Sequence, residues 1–156
     1  MDAKRELLRH TVATVAYRAA RAFEDAPEGF REFAGCGRTP GQILAHMGDL
    51  FDWALSMATG EERWRNSAPL PWTEEKARFF ASLEAFDQRL PSPSRIHTTE
   101  ERLFQGPVAD ALTHVGQLAM MRRLAGSPAW SENYSVAKIT AGRAGADQAG
   151  AVKRFR

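Results

Sequence analysis

The residues best suited to chemistry in this 156-residue chain are two histidines and an aspartate. Asp110, His114, Gln117 and Met121 follow one another at steps of four, three and four, so on an α-helix they share one stripe. A carboxylate and an imidazole one turn apart can hold a common ion if a third donor arrives from another helix. His46 is the obvious donor, because it falls beside an apolar helical stripe near Leu50 and Trp53. Three protein donors on one side of an ion leave positions open for water or substrate, as catalytic metal sites do. The same residues have a structural reading. His46 then is a core-edge imidazole bonded to a backbone or carboxylate group, His114 a half-exposed histidine, and Asp110 a charge that stabilises the first turn of its helix. Spacing alone leaves both readings open.

Other catalytic patterns are weaker. Ser56, His97 and Asp87 are the residue types of a hydrolytic triad, but no Gly-x-Ser-x-Gly elbow surrounds any serine. Cys36 has no activating motif beside it. There is no Gly-x-Gly-x-x-Gly and no Gly-Lys-Ser, so nucleotide hydrolysis has no support. His10, in the first helical segment, and His97, in an expected loop, have no ligand at helical spacing.

Four helical segments must position the candidate site. From Asp2 to about Phe23, the residues Leu8, Val12, Val15, Ala19 and Phe23 step by three or four. Pro27 and Gly29 end that segment, and Cys36 falls in the glycine-containing loop that follows. Thr39-Pro40-Gly41-Gln42 predicts a capping box at the start of a second helix, with Gly60 placed to end it. The stretch from Gly60 to Trp72 is long enough to cross over, which lets helices two and three run parallel in an up-down-down-up four-helix bundle. Thr73, Glu74 and Glu75 predict the start of a third helix, which Pro91 and Pro93 end. Gly106-Pro107 predicts the start of a fourth, stopped by Gly126 and Pro128. The fold class is therefore all-α, with no convincing strand. Residues 127–156 form an ordered extension of the same domain, with a frayed end.

The runs Thr39-Pro40-Gly41-Gln42-Ile43-Leu44-Ala45-His46-Met47-Gly48-Asp49-Leu50 and His114-Val115-Gly116-Gln117-Leu118 resemble the two signature helices of the DinB/YfiT-like metalloenzyme superfamily, and the helix order agrees over residues 2 to 126. The resemblance implies a four-helix bundle over residues 1–126, with one histidine on the second helix and a His-x-x-x-His pair on a late helix as metal ligands. His46 matches the first ligand and His114 the last. Asp110 stands where the middle histidine would be, which implies either a two-histidine, one-carboxylate site or a member that has lost its metal. A divalent ion (Zn, Ni, Mn or Fe) is the implied cofactor, with a low-molecular-weight thiol as co-substrate. The implied activity is a thiol-dependent S-transferase or hydrolase acting on a small molecule. The alternative is a non-catalytic dimeric stress-response or interaction protein with a degenerate metal site.

Composition sets the remaining expectations. Hydrophobic residues make up 44% and charged residues 26%, values typical of a folded domain, and the length suits one domain. The net charge of +2 is small and the two signs are interleaved, which disfavours nucleic acid as a partner. A single cysteine permits no internal disulfide, and no run approaches a membrane span, so the expected setting is cytoplasmic with no membrane partner. Four tryptophans and an apolar-containing extension lead us to expect a homodimer.

Overall fold

A computed structural model describes residues 2–155, and these are mostly helical. Helix α1 (Ala3–Phe23) starts at Asp2, whose side chain accepts from the Lys4 amide. Helix α2 (Pro40–Thr59) carries the expected capping box: Thr39 accepts from the Gln42 amide, the Gln42 side chain accepts from the Thr39 amide, and Gly60 ends the helix at φ 87°. That left-handed turn is one that only glycine adopts without strain.

Helix α3 (Trp72–Arg89) begins two residues earlier than a Thr73 cap would place it, and Thr73 is not its cap. The start is organised by Glu75, which is fully buried. Its Oε2 accepts from the Leu70 amide at 2.6 Å, so a carboxylate inside the first turn reaches back to the incoming chain.

The last helix departs most from expectation. It starts at Thr99, which caps α4 (Glu100–Leu103), and passes through a π-helical turn at Phe104–Val108 into α5 (Ala109–Leu124). Gly106-Pro107 therefore lies inside a continuous helix. The wider turn accommodates the proline, which has no amide hydrogen to donate. Thr99-Glu100-Glu101 is an N-cap followed by acids, a start signal that the Gly-Pro pair overshadowed.

Paired contacts give the helix directions. Arg78 meets Ala45 and Asp49, and Ser82 meets Asp52, so α2 and α3 run the same way. Arg9 pairs with Asp87 while Phe23 packs on Trp72, so α1 opposes α3. Arg5 pairs with Glu100 and Arg122 reaches the Ala22 carbonyl, so α1 and the last helix are parallel. The long α2–α3 connection is tied down rather than loose. Arg78 donates to Asp49, to Glu75 Oε1 at 2.8 Å and to Ser67 Oγ at 3.1 Å, while the Ser67 amide donates to Asp49 Oδ2 at 2.8 Å. A Cβ on Gly48 would lie 2.8 Å from Arg78 Nη1, so the missing side chain is what admits the guanidinium.

The core between the helices is apolar and aromatic, with Val15, Leu44, Phe51, Phe79, Phe86 and Leu118 all buried. Phe23 meets Trp72, Phe79 and Phe80 edge-on at 5.6, 5.9 and 6.0 Å. Such pairs add to the stabilisation from area burial alone.

Beyond α5 the chain folds back on α1. Two short antiparallel strands, β1 (Ser131–Glu132) and β2 (Arg154–Phe155), pair Ser131 with Phe155 and Glu132 with Arg154. The expected frayed end is instead paired through Phe155, and Arg154 grips Glu24 at 2.7 Å. Glu132 is drawn into a buried cluster with Tyr17 and Arg21. Among the described residues no helix is long and apolar enough to cross a membrane.

Candidate metal centre

Two antiparallel helices bring the site together. Along their contact Trp53 lies over Gly106, and His46 lies over Asp110 and His114. The i, i+4 spacing sets Asp110 and His114 on one face of α5, and the α2 stripe turns His46 toward them. His46 Nε2 lies 3.2 Å from Asp110 Oδ2, and His114 Nε2 lies 3.4 Å from Asp110 Oδ1. The two imidazoles stand edge to face, with ring centres 4.9 Å apart. One donor atom from each of the three residues falls within 4.8 Å of the others, so the group could hold a metal ion. With metal–ligand bonds of about 2.1 Å, drawing the donors onto one ion needs side-chain shifts of about 1 Å.

The surroundings fix how each side chain presents itself. Gln117 Oε1 accepts from His114 Nδ1 at 2.7 Å, which leaves the Nε2 lone pair of a neutral imidazole facing the Asp110 carboxylate. Two acceptors opposed in this way need something positive between them, either a proton or a cation. Trp64, from the crossover segment, leans on His46 with ring centres 5.4 Å apart, and Trp53 leans on Trp64 at 5.8 Å. Trp53 and Trp64 thus wall one side of His46.

Asp110 is 45% exposed, whereas the side chains of His46 and His114 are 20% and 12% exposed. The centre therefore sits in the protein with one edge open, and a small molecule can reach it. Adjoining His114 and Gln117 is a cleft of about 450 Å³ whose walls include Cys36, Arg38, Met120 and Leu124.

All three expected ligands are brought together here. His10 is exposed on α1. His97 packs against Gly60 at the end of α2, where its amide donates to the Ala58 carbonyl. Cys36 is a free, exposed thiol. Ser56 Oγ is occupied with the Trp53 and Arg63 backbone, and Asp87 with Arg9, so no triad forms. The role of Trp64 beside His46 was not legible, because nothing in a polar connecting segment marks where it will fold back. Comparison with known proteins finds no matching family model, no matching curated protein and no matching solved structure.

Proposed function

We propose that this chain is a divalent-metal-dependent enzyme with a DinB/YfiT-like up-down-down-up four-helix bundle, acting on a small molecule as a thiol-dependent S-transferase or hydrolase. The observation that carries the reading is the convergence of His46, Asp110 and His114 at an edge open to solvent. The sequence runs around His46 and His114 supply the family and the reaction class. The rival reading, a dimeric interaction protein with a degenerate site, loses ground because Asp110 faces both histidines.

In this reading His46 and His114 anchor the ion and Asp110 supplies the third donor. A bound divalent ion supplies a Lewis acid that holds a thiol as thiolate at neutral pH. Gln117 keeps the proton of His114 on Nδ1 and the ligating nitrogen free. Trp53 and Trp64 restrict the rotation of His46 and shield it from water on one side. The cleft beside His114 offers apolar Met120 and Leu124 for the body of a substrate and Arg38 for an anionic group. We further propose a homodimer, supported by the exposed apolar side chains Leu7 and Phe104 that line one groove. Sedimentation equilibrium should give twice the chain mass, and a monomer at high micromolar concentration would defeat the dimer.

The test is metal content of untagged protein by elemental analysis, after incubation with Zn, Ni, Mn or Fe. His46→Ala and His114→Ala should each abolish stoichiometric binding, while His10→Ala and His97→Ala leave it intact. Wild-type protein that takes up none of these metals would return the chain to the interaction-protein reading.

A further inference from the structure

On the side of α5 away from the histidines lies a second cavity, of about 600 Å³, closed by α1 and by the extension that carries β1. That size suits a small organic ligand. Its floor is apolar, with Leu112, Val115 and Ala119 from α5, and Trp130 at its edge is 51% exposed.

Three guanidiniums border this cavity, and they are not equivalent. Arg21 is satisfied: it pairs with Glu132 at 3.2 Å and donates to the Tyr17 hydroxyl at 3.1 Å. Arg18 lies with its Cζ 4.1 Å from the centre of the Tyr134 ring, and its Nε is buried without a hydrogen-bond partner. Among the described residues no carboxylate lies within 4.0 Å of Arg18 or of exposed Arg123. The Arg18 Nε is out of reach of solvent and so faces protein, which leaves the Nη groups of Arg18 and Arg123 to meet a ligand in the cavity, and a guanidinium fork matches a carboxylate or phosphate oxyanion.

Gly116 supplies an independent observation. It stands in the middle of α5, where glycine costs about 1 kcal/mol relative to alanine. A Cβ built there meets nothing within 4 Å, so no packing neighbour requires the glycine. What its absence of a side chain does is keep the cavity wall open.

We infer that this cavity binds an organic oxyanion with a flat apolar body, its acidic group held by Arg18 and Arg123 and its body against Val115, Ala119 and Trp130. The site is separate from the metal centre, since its α5 residues face away from Asp110, His114 and Gln117.

The probes are 1-naphthoate, 1-naphthyl phosphate and the neutral 1-naphthylmethanol, titrated calorimetrically into the whole chain. At least one of the two oxyanions should bind one-to-one, about tenfold or more ahead of the alcohol. Whichever of them is tighter names the acidic group as carboxylate or phosphate ester. Arg123→Gln should weaken that binding about tenfold. Gly116→Leu, whose Cβ meets nothing within 4 Å and whose side chain adds bulk to the cavity wall, should weaken it at least as much while leaving the helical circular dichroism unchanged. His46→Ala should bind the oxyanion as the wild type does, which separates this site from the metal-dependent reading. The inference is overturned if neither oxyanion binds in the millimolar range, if the alcohol binds equally well, if both cavity variants bind normally, or if His46→Ala abolishes binding.

Discussion

Gln117 Oε1 lies 2.7 Å from His114 Nδ1, one turn along the same helix, and the bond fixes which nitrogen of the imidazole faces Asp110. A partner of this kind orients a ligand and selects its tautomer without touching the metal.

Gln117→Leu should therefore weaken divalent-metal binding by about 10- to 100-fold while the protein remains folded. Competition with a chelator of known affinity gives the dissociation constant. Unchanged affinity would mean that His114 needs no outside help to present Nε2.

Arg78 ties α3 to the crossover and to α2 through Asp49 and Glu75, which are both buried. Replacing it by methionine leaves two carboxylates facing each other without a cation. Such a break in a buried network costs about 3 kcal/mol, so Arg78→Met should lower the urea midpoint sharply, and a shift within error would show the network to be idle.

Tyr17 is buried, and burial, with its hydrogen bond to Glu132, raises its phenol above the usual 10.0. The unfolded chain releases the phenolic proton first as pH rises, so the tyrosine's contribution to stability is intact below about pH 10 and is lost above it as the folded phenol ionises. Burial raises Tyr134 in the same direction. Urea midpoints measured across this alkaline range should fall less steeply for Tyr17→Phe than for the wild type, and parallel slopes would remove Tyr17 as a contributor.

Local signals in the sequence were informative where one residue type has one structural use. Thr39, Gln42 and Gly60 delimit α2 as their chemistry requires, and Pro91 follows the end of α3. The alignment of Asp110, His114 and Gln117 follows directly from helical spacing. Illegible features depend on contacts distant in sequence. Thr73 is a competent cap, yet the buried Glu75 organises the turn instead, because Arg78 and the returning Leu70 amide are waiting for it. Glu132 is an ordinary surface type by sequence, and only the return of the extension onto Tyr17 and Arg21 buries it.

The π turn at Phe104–Val108 has a consequence for how this segment tolerates change in length. Each residue of an α-helix advances the azimuth by about 100°, so a turn holding an extra residue offsets the rod before it from the rod after it. Before the turn, Glu100 and Glu101 engage Arg5 and Lys4 of α1; after it, Asp110 and His114 face α2. The turn is thus a phase coupling between the half whose acids clasp the start of α1 and the half that turns His114 toward His46 while Arg122 still reaches the end of α1. Removing a single residue there, such as Gln105, would bring the two halves into ordinary register and force a choice between the clasp on α1 and the alignment of His114 with His46. An indel between Leu103 and Ala109 would be read out at the imidazoles, although no residue of the segment belongs to the candidate site of His46, Asp110 and His114.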